Sequence, residues 1–113
     1  MKTFLQLAQA RGPYCECGCN DFAHERHHCL IPQINKGGKI KYPILDDERN
    51  LVLVNHHEHV DENKFKGEKW AAYFWKRQCE RYGEPAMMEW IAEVHRQAPK
   101  LAKERFSFVS EET

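Results

Sequence analysis

The sequence has little that would place it in a membrane or in the secretory pathway. Its apolar runs are all far shorter than the roughly 20 residues that a membrane-spanning helix needs. The first residues, Met1-Lys2-Thr3-Phe4, lack the apolar segment of a secretory signal peptide. We therefore expect a soluble intracellular protein that has no membrane partner.

The chain also lacks a net charge and an even number of cysteines. Its 17 Lys and Arg residues balance 17 Asp and Glu residues, so the overall charge neither favours nor excludes a nucleic-acid partner. Five cysteines in a chain without an export signal do not fit a disulfide framework. Reduced thiols, some of which bind a metal ion, are the better interpretation.

Histidine, in contrast, is concentrated in two short windows. Five of the seven histidines fall within residues 25–32 and 50–59, and each window also contains a short apolar run typical of a strand. Imidazole is the commonest metal ligand and the commonest general base near neutral pH. A fold that joined the two windows would therefore assemble a candidate metal-dependent active site.

The pattern of apolar residues predicts one α+β domain over residues 1–113. Residues 2–11 are expected to form a helix, residues 26–31 a strand, and residues 51–54 a second, buried strand. Residues 33–49 are expected to form a long connection between the strands, and long loops in small domains are more often functional than idle. A hairpin of the two strands would bring the histidine windows together.

The last third of the chain is expected to form a helical extension over about residues 67–99. Apolar residues at three- and four-residue spacing predict two helices, with Gly83 at the end of the first and Pro85 in the first turn of the second. The aromatic residues expected in the core are Trp70, Tyr73, Phe74 and Trp75. The basic residues expected on a solvated outer face are Lys69, Lys76, Arg77 and Arg81.

Side chains from the first strand and from the segment after the second strand could converge on one metal ion. His59 and Asn63 have the four-residue spacing that places two side chains on the same face of a helix. His27 on the first strand could supply a third ligand. Three such ligands leave coordination positions open for water and substrate, as in a catalytic metal site.

His28 and Asn50 complete the candidate site. Successive side chains of a strand point to opposite faces, so His28 does not share the face of His27 and is available as a general base that activates water. Asn50 stands at the head of the second strand. Its amide could fix either the imidazole of His28 or the loop between the strands.

The order and spacing of these residues resemble the signature of HNH endonucleases. Glu25-Arg26-His27-His28 is followed by Asn50-Leu51-Val52-Leu53-Val54 and then by His59, and the nine-residue step from Asn50 to His59 is usual in that family. The resemblance covers about residues 15–66. It implies a ββα-metal core, also called the His-Me finger, with an N-terminal helix and two C-terminal helices packed around it.

The resemblance implies a metal-dependent endonuclease that hydrolyses phosphodiester bonds in DNA. His28 resembles the general base of the family, and His27 and His59 resemble its metal ligands. Asn63 lies where some members have a further ligand, and Asn50 resembles the residue that holds the hairpin and the base in place. The implied cofactor is one divalent ion, Mg²⁺ or Mn²⁺.

Many members of the family also contain a structural zinc site formed by two cysteine pairs. Cys15 together with Cys17 or Cys19 resembles the first pair, although the spacing is C-x-C-x-C and not C-x-x-C. The second pair would fall at Asn55 and Glu58, so a zinc site of four cysteines is excluded at those positions. A nearby histidine could replace one ligand. The candidate structural zinc ligands are Cys15, Cys17, Cys19 and His56.

Basic residues near the predicted site could bind the phosphate groups of DNA. Such contacts would give affinity without sequence preference, although a lysine-rich loop is often only solvated. The candidates are Arg26, Lys36, Lys39 and Lys41. Compact free-standing members of the family resemble phage-encoded nucleases, which implies a phage source and activity in the cytoplasm of a bacterial host.

Two other functions are compatible with the same residues. The first is a non-catalytic DNA-binding or zinc-stabilised module that retains the ββα fold as a scaffold, although a scaffold does not need His28 beside a metal. The second is a small zinc module based on the three clustered cysteines and a histidine. Such a module would bind one zinc ion per chain and would unfold when a chelator removes it.

Overall fold

The computed structural model describes residues 2–32, 35–36, 39–40, 42–57, 65 and 68–99. In chain order these residues form α1 (Phe4–Arg11), β1 (Glu25–His28), β2 (Asn35–Lys36), β3 (Lys39–Ile40), a first 3₁₀ helix (Pro43–Asp46), a second 3₁₀ helix (Glu48–Asn50), β4 (Leu51–Val54), α2 (Glu68–Tyr82) and α3 (Glu84–Gln97). Helices together with antiparallel strands confirm the predicted α+β class. Within this part of the chain, each helix is too short or too polar to cross a lipid bilayer.

The two histidine windows meet in an antiparallel hairpin of β1 and β4, as the sequence predicts. Glu25 lies opposite Val54 at one end of the hairpin, and His28 lies opposite Leu51 at the other. All four side chains of β4 are buried, whereas those of β1 are only partly buried. The apolar strand β4 therefore anchors the hairpin in the core, and β1 presents its histidines beside it.

The first strand ends earlier than the sequence predicts. A strand over residues 26–31 is expected, but β1 ends at His28 because the side chain of Asn50 takes over the hydrogen bonds of the residues that follow. The backbone N–H groups of Leu30 and Ile31 both donate to Asn50 Oδ1 at 3.0 Å. The chain therefore leaves the ladder at the point where Asn50 binds it.

The connection between β1 and β4 is more structured than a long loop. Its first part contains the short antiparallel pair of β2 and β3, in which Asn35 lies opposite Ile40. Gly37 and Gly38, which link these strands in the sequence, lie outside the described residues. The second part contains both 3₁₀ helices, the second of which is capped by Asp47, whose side chain accepts a hydrogen bond from the Arg49 N–H.

The helices at both ends of the chain confirm the sequence prediction. A capping box of Thr3 and Gln6 begins α1. Gly83 separates α2 from α3 with a φ of +90°, a conformation that a residue with a Cβ rarely adopts. Pro85 lies in the first turn of α3, where its missing N–H has no intrahelical partner to lose.

The core is formed where α2 and α3 pack over the hairpin and the first 3₁₀ helix. Phe74, Trp75 and Trp90 are buried, and the indole N–H of Trp90 donates to the Ile44 carbonyl at 3.0 Å. The prediction of a core position is wrong for Tyr73, which is 40% exposed because its hydroxyl reaches out to the carbonyl of Cys17.

The solvated outer face that the sequence predicts for the basic residues of α2 is confirmed for Lys69 and Lys76, which are exposed, but it is wrong for Arg77 and Arg81. Arg77 and Arg81 form ion pairs with the carboxylate of Glu16, whose side chain is only 3% exposed. The same carboxylate accepts a hydrogen bond from Arg11 at 3.1 Å and one from the Leu53 N–H at 2.6 Å. A buried charge thus joins α1, β4 and α2, and it draws the guanidinium groups of Arg77 and Arg81 towards Glu16.

Candidate active site and thiol cluster

Asn50 is the residue that ties the loop of the candidate site together. It is fully buried, and its amide Nδ2 donates to the carbonyls of Ile31 and Leu45, both at 2.8 Å. With the bonds that Oδ1 accepts from Leu30 and Ile31, both ends of the amide are satisfied. Of the two partners considered from sequence, Asn50 binds the loop. One neutral side chain therefore fixes the end of β1 against the first 3₁₀ helix.

His28 forms a close pair with the carboxylate of Asp46. The imidazole Nε2 lies 2.7 Å from Asp46 Oδ1, and the two side chains are 30% and 10% exposed. Asp46 directly follows Leu45, so the bond between Asn50 and the Leu45 carbonyl also places the carboxylate. Nδ1 of His28 has no partner among the described residues. The pair leaves the ring both oriented and accessible.

His27 faces a different environment from His28, as expected for neighbouring residues of a strand. Its ring packs against Phe65 at a centroid distance of 5.5 Å and against Phe74 at 6.2 Å. The side chain remains partly buried. His59 and Asn63, the predicted further metal ligands, lie outside the described residues. The imidazole of His27, as a nitrogen ligand, suits Mn²⁺ or Zn²⁺ better than Mg²⁺, which prefers oxygen ligands.

The cysteines of residues 15–19, which we call the thiol turn, form a compact cluster. Ligand atoms of Cys15, Cys17 and Cys19 all lie within 4.8 Å of one another, and the first two sulfurs are 3.3 Å apart. Alternate side chains of an extended strand would be about 7 Å apart. Gly18 and Asn20 have φ values of +91° and +69°, so the chain curls and brings the thiols to one side.

The thiol turn is closed and supported by its neighbours. Cys15 N–H donates to the Asp21 carbonyl at 2.8 Å, and the Asn55 N–H donates to Cys15 Sγ at 3.3 Å. Sulfurs that lie this close together can share one metal ion, which cysteine binds as its thiolate. The three sulfurs could therefore hold a metal ion, and thiolate ligands suit zinc.

His56 does not join the thiol turn in this arrangement. Its Nδ1 lies 2.9 Å from Glu25 Oε2, and its side chain is 57% exposed. The metal-ligand cluster found within the described residues contains the three cysteines and not His56. Of the four zinc ligands predicted from sequence, the three cysteines therefore lie together, whereas His56 is bound by Glu25.

The other two cysteines, Cys29 and Cys79, behave as packing residues. Burial raises the pKa of the Cys29 thiol far above its usual range, with the negative charge of Glu16 adding to the effect. Cys79 packs partly buried against the core, and burial raises its pKa as well. Both thiols stay protonated at neutral pH and are poor metal ligands or nucleophiles.

The four basic residues that the sequence predicts to contact DNA do not form one group among the described residues. Arg26 is directed at the N-terminal segment, where its guanidinium donates to the Lys2 carbonyl at 2.9 Å. Lys36 and Lys39 are paired positions of the β2–β3 ladder. Lys41 lies outside the described residues.

Two residues that matter for these sites were missed from sequence. Asp46 carries little signal of its own in the sequence, although a carboxylate four residues before Asn50 is close enough in the chain to reach the same site. Glu16 carried no signal at all. Its role depends on three arginines from α1 and α2 that only the folded chain brings together.

Comparison of the chain with protein-family models, with curated proteins and with solved structures finds no match in any of the three.

Proposed function

We propose that this protein is a metal-dependent endonuclease that hydrolyses phosphodiester bonds in DNA, with His28 as the general base. The observation that carries the proposal is the His28–Asp46 pair at the end of the β1–β4 hairpin, 2.7 Å between Nε2 and Oδ1. A histidine that is partly exposed and held on one nitrogen by a carboxylate is equipped to accept a proton on the other.

The chemistry of His28 follows from the arrangement of its two nitrogens. Nε2–H donates to the Asp46 carboxylate, so Nδ1 carries the lone pair that removes a proton from water. The water oxygen then attacks phosphorus, and the bond to the departing oxygen breaks. The carboxylate of Asp46 stabilises the imidazolium that forms.

His27 is the proposed metal ligand on β1, and His59 and Asn63 are the proposed ligands from the segment after β4. When bound, a divalent ion would neutralise the charge that develops on the phosphate and on the departing oxygen. Because His27 and His59 offer imidazole nitrogens, we expect Mn²⁺ to support activity at least as well as Mg²⁺.

Binding of DNA is proposed to involve phosphate contacts from basic residues of β1 and of the connection between β1 and β4. Such contacts position the duplex without reading its sequence, and binding should therefore weaken steeply with added salt. The proposed residues are Arg26, Lys36, Lys39 and Lys41.

A plasmid-nicking assay with Mg²⁺, Mn²⁺ or EDTA tests the proposal. The wild-type protein should nick plasmid with a divalent ion and not with EDTA, and His28→Ala should lose at least about 100-fold in rate. His95→Ala is the matched control, because His95 lies exposed on α3. Full activity of His28→Ala, with unchanged circular dichroism in both variants, would contradict the proposed role.

The thiol turn favours a second candidate function, a zinc-stabilised DNA-binding module without catalysis. We propose that Cys15, Cys17 and Cys19 supply three of the four ligands of one structural zinc ion, because their sulfurs are already within ligand-sharing distance. Metal analysis should give one zinc per chain in the wild-type protein and in Cys79→Ser, and much less in Cys17→Ser. DNA binding without nicking under any metal condition would favour this module over the nuclease.

A further inference from the structure

We propose that Asp46 is a positioning residue for His28: its carboxylate fixes the ring so that Nδ1, and not Nε2, is the basic nitrogen. The inference rests on the proposed nuclease function and adds a residue to it. His28 and Asp46 are 18 positions apart in the sequence, and the folded chain brings Nε2 to 2.7 Å from Oδ1. An ionised carboxylate can only accept hydrogen bonds, so Nε2 must carry the hydrogen.

The backbone around Asp46 is held firmly enough for this task. The preceding residue, Leu45, is fully buried, and its carbonyl accepts the 2.8 Å bond from Asn50. The carbonyl of Ile44 accepts the indole N–H of Trp90 at 3.0 Å. Asp46 itself is only 8% exposed. Its carboxylate is thus fixed by the core and by the same asparagine that ends β1.

The neighbouring Asp47, in contrast to Asp46, has a purely structural carboxylate. Both of its oxygens accept hydrogen bonds from the Arg49 guanidinium, at 2.8 Å and 3.0 Å, and one also accepts the Arg49 N–H. Asp47 therefore serves the local backbone, whereas Asp46 is directed at the ring of the proposed base. The two adjacent aspartates form a natural pair for a matched experiment.

The proposed step balances in protons and in bonds. One water O–H bond breaks as its proton moves to Nδ1 of His28, and the water oxygen forms the new bond to phosphorus. The bond from phosphorus to the departing oxygen breaks, and that oxygen takes a proton from solvent. The hydrogen on Nε2 stays between His28 and Asp46 throughout, so Asp46 contacts neither substrate nor attacking water.

The test compares Asp46→Asn with Asp47→Asn in single-turnover cleavage and in long-range ¹H–¹⁵N spectra of the histidines. An asparagine amide can donate to Nε2 and so favour the opposite tautomer, in which Nδ1 carries the hydrogen. We expect Asp46→Asn to lower the cleavage rate at saturating DNA at least about 10-fold, with KM changed less than about 3-fold. Asp47→Asn should retain the wild-type rate.

The spectra keep the inference testable on their own. Wild-type His28 should show the tautomer protonated on Nε2, and Asp46→Asn should lose it while Asp47→Asn keeps it. A wild-type His28 protonated on Nδ1, or an unchanged cleavage rate in Asp46→Asn, would overturn the inference. If the wild-type protein cleaves no DNA, the proposed nuclease function fails, and the spectra still decide whether Asp46 fixes the ring.

Discussion

The His28 site and the thiol turn lie at opposite ends of the same hairpin and are held in place by different means. His28 pairs with Leu51 at the first residue of β4, whereas Cys15 accepts its hydrogen bond from Asn55, just beyond the last. Three residue steps of about 3.3 Å separate these ends of β4, or about 10 Å. The two sites are therefore distinct, and a metal ion at the thiols would not touch a water bound by His28.

The residues that hold the two sites differ in charge. Asn50 holds the His28 site as a neutral amide that binds only backbone groups. Glu16 holds the thiol turn as a buried carboxylate among three arginines. A buried charge that loses its partners costs more than an unpaired neutral group. We therefore expect disruption of the thiol end of the hairpin to lower the free energy of unfolding more than disruption of the end where His28 lies.

Glu16→Gln is the change with the largest expected effect on this comparison. It keeps the size of the side chain but removes the charge that balances Arg11, Arg77 and Arg81, so we expect unfolding free energy to fall by about 3–5 kcal/mol. Urea denaturation measures the loss. Glu80→Gln on α2 is the control, because Glu80 is exposed. A loss below about 1 kcal/mol for Glu16→Gln would remove the distinction between the two ends.

Asn50→Ala should have the next largest effect. It leaves two backbone N–H groups and two carbonyls without their side-chain partner, and we expect a loss of about 2–3 kcal/mol. Asn55→Ala is matched to it, since Asn55 also binds backbone at Phe22 and His57 but in an exposed place. Equal losses in the two variants would show that burial of the Asn50 amide contributes nothing extra.

The sequence predicted much of the fold around Asn50 and little of that around Glu16. The hairpin, the opposite directions of His27 and His28, and the loop role of Asn50 follow from patterns within two short windows. Strand alternation and helix periodicity are local, so a single sequence reveals them. The partners of Glu16 are up to 65 positions away, and only tertiary packing selects them. Asp46 is an intermediate case. It is only 18 positions from His28, but the direction of its side chain depends on the first 3₁₀ helix.

Asp47→Asn should have the smallest effect, and one that depends on pH. Burial alone would raise the pKa of Asp47, but hydrogen bonds from Arg49 outweigh it and lower the pKa below its usual value. The stabilisation is therefore complete above the ordinary pKa of aspartate and is lost as the pH falls through the lower pKa of the folded state. We expect wild type to exceed Asp47→Asn by at most about 1 kcal/mol at neutral pH.

That difference should shrink between about pH 5 and pH 2. Urea denaturation of both proteins over this range measures it. A difference that grows as the pH is lowered would show that Arg49 does not stabilise the charged form of Asp47.

The most direct test of the proposed active site is a crystal structure with Mn²⁺, in which anomalous scattering locates the ion. We predict that Mn²⁺ contacts the imidazole of His27, while His28 keeps its hydrogen bond to Asp46 and turns Nδ1 towards water. Mn²⁺ coordinated by His28 would contradict the assignment of His28 as the base, and Mn²⁺ bound only at the thiol turn would contradict the assignment of His27 as a metal ligand.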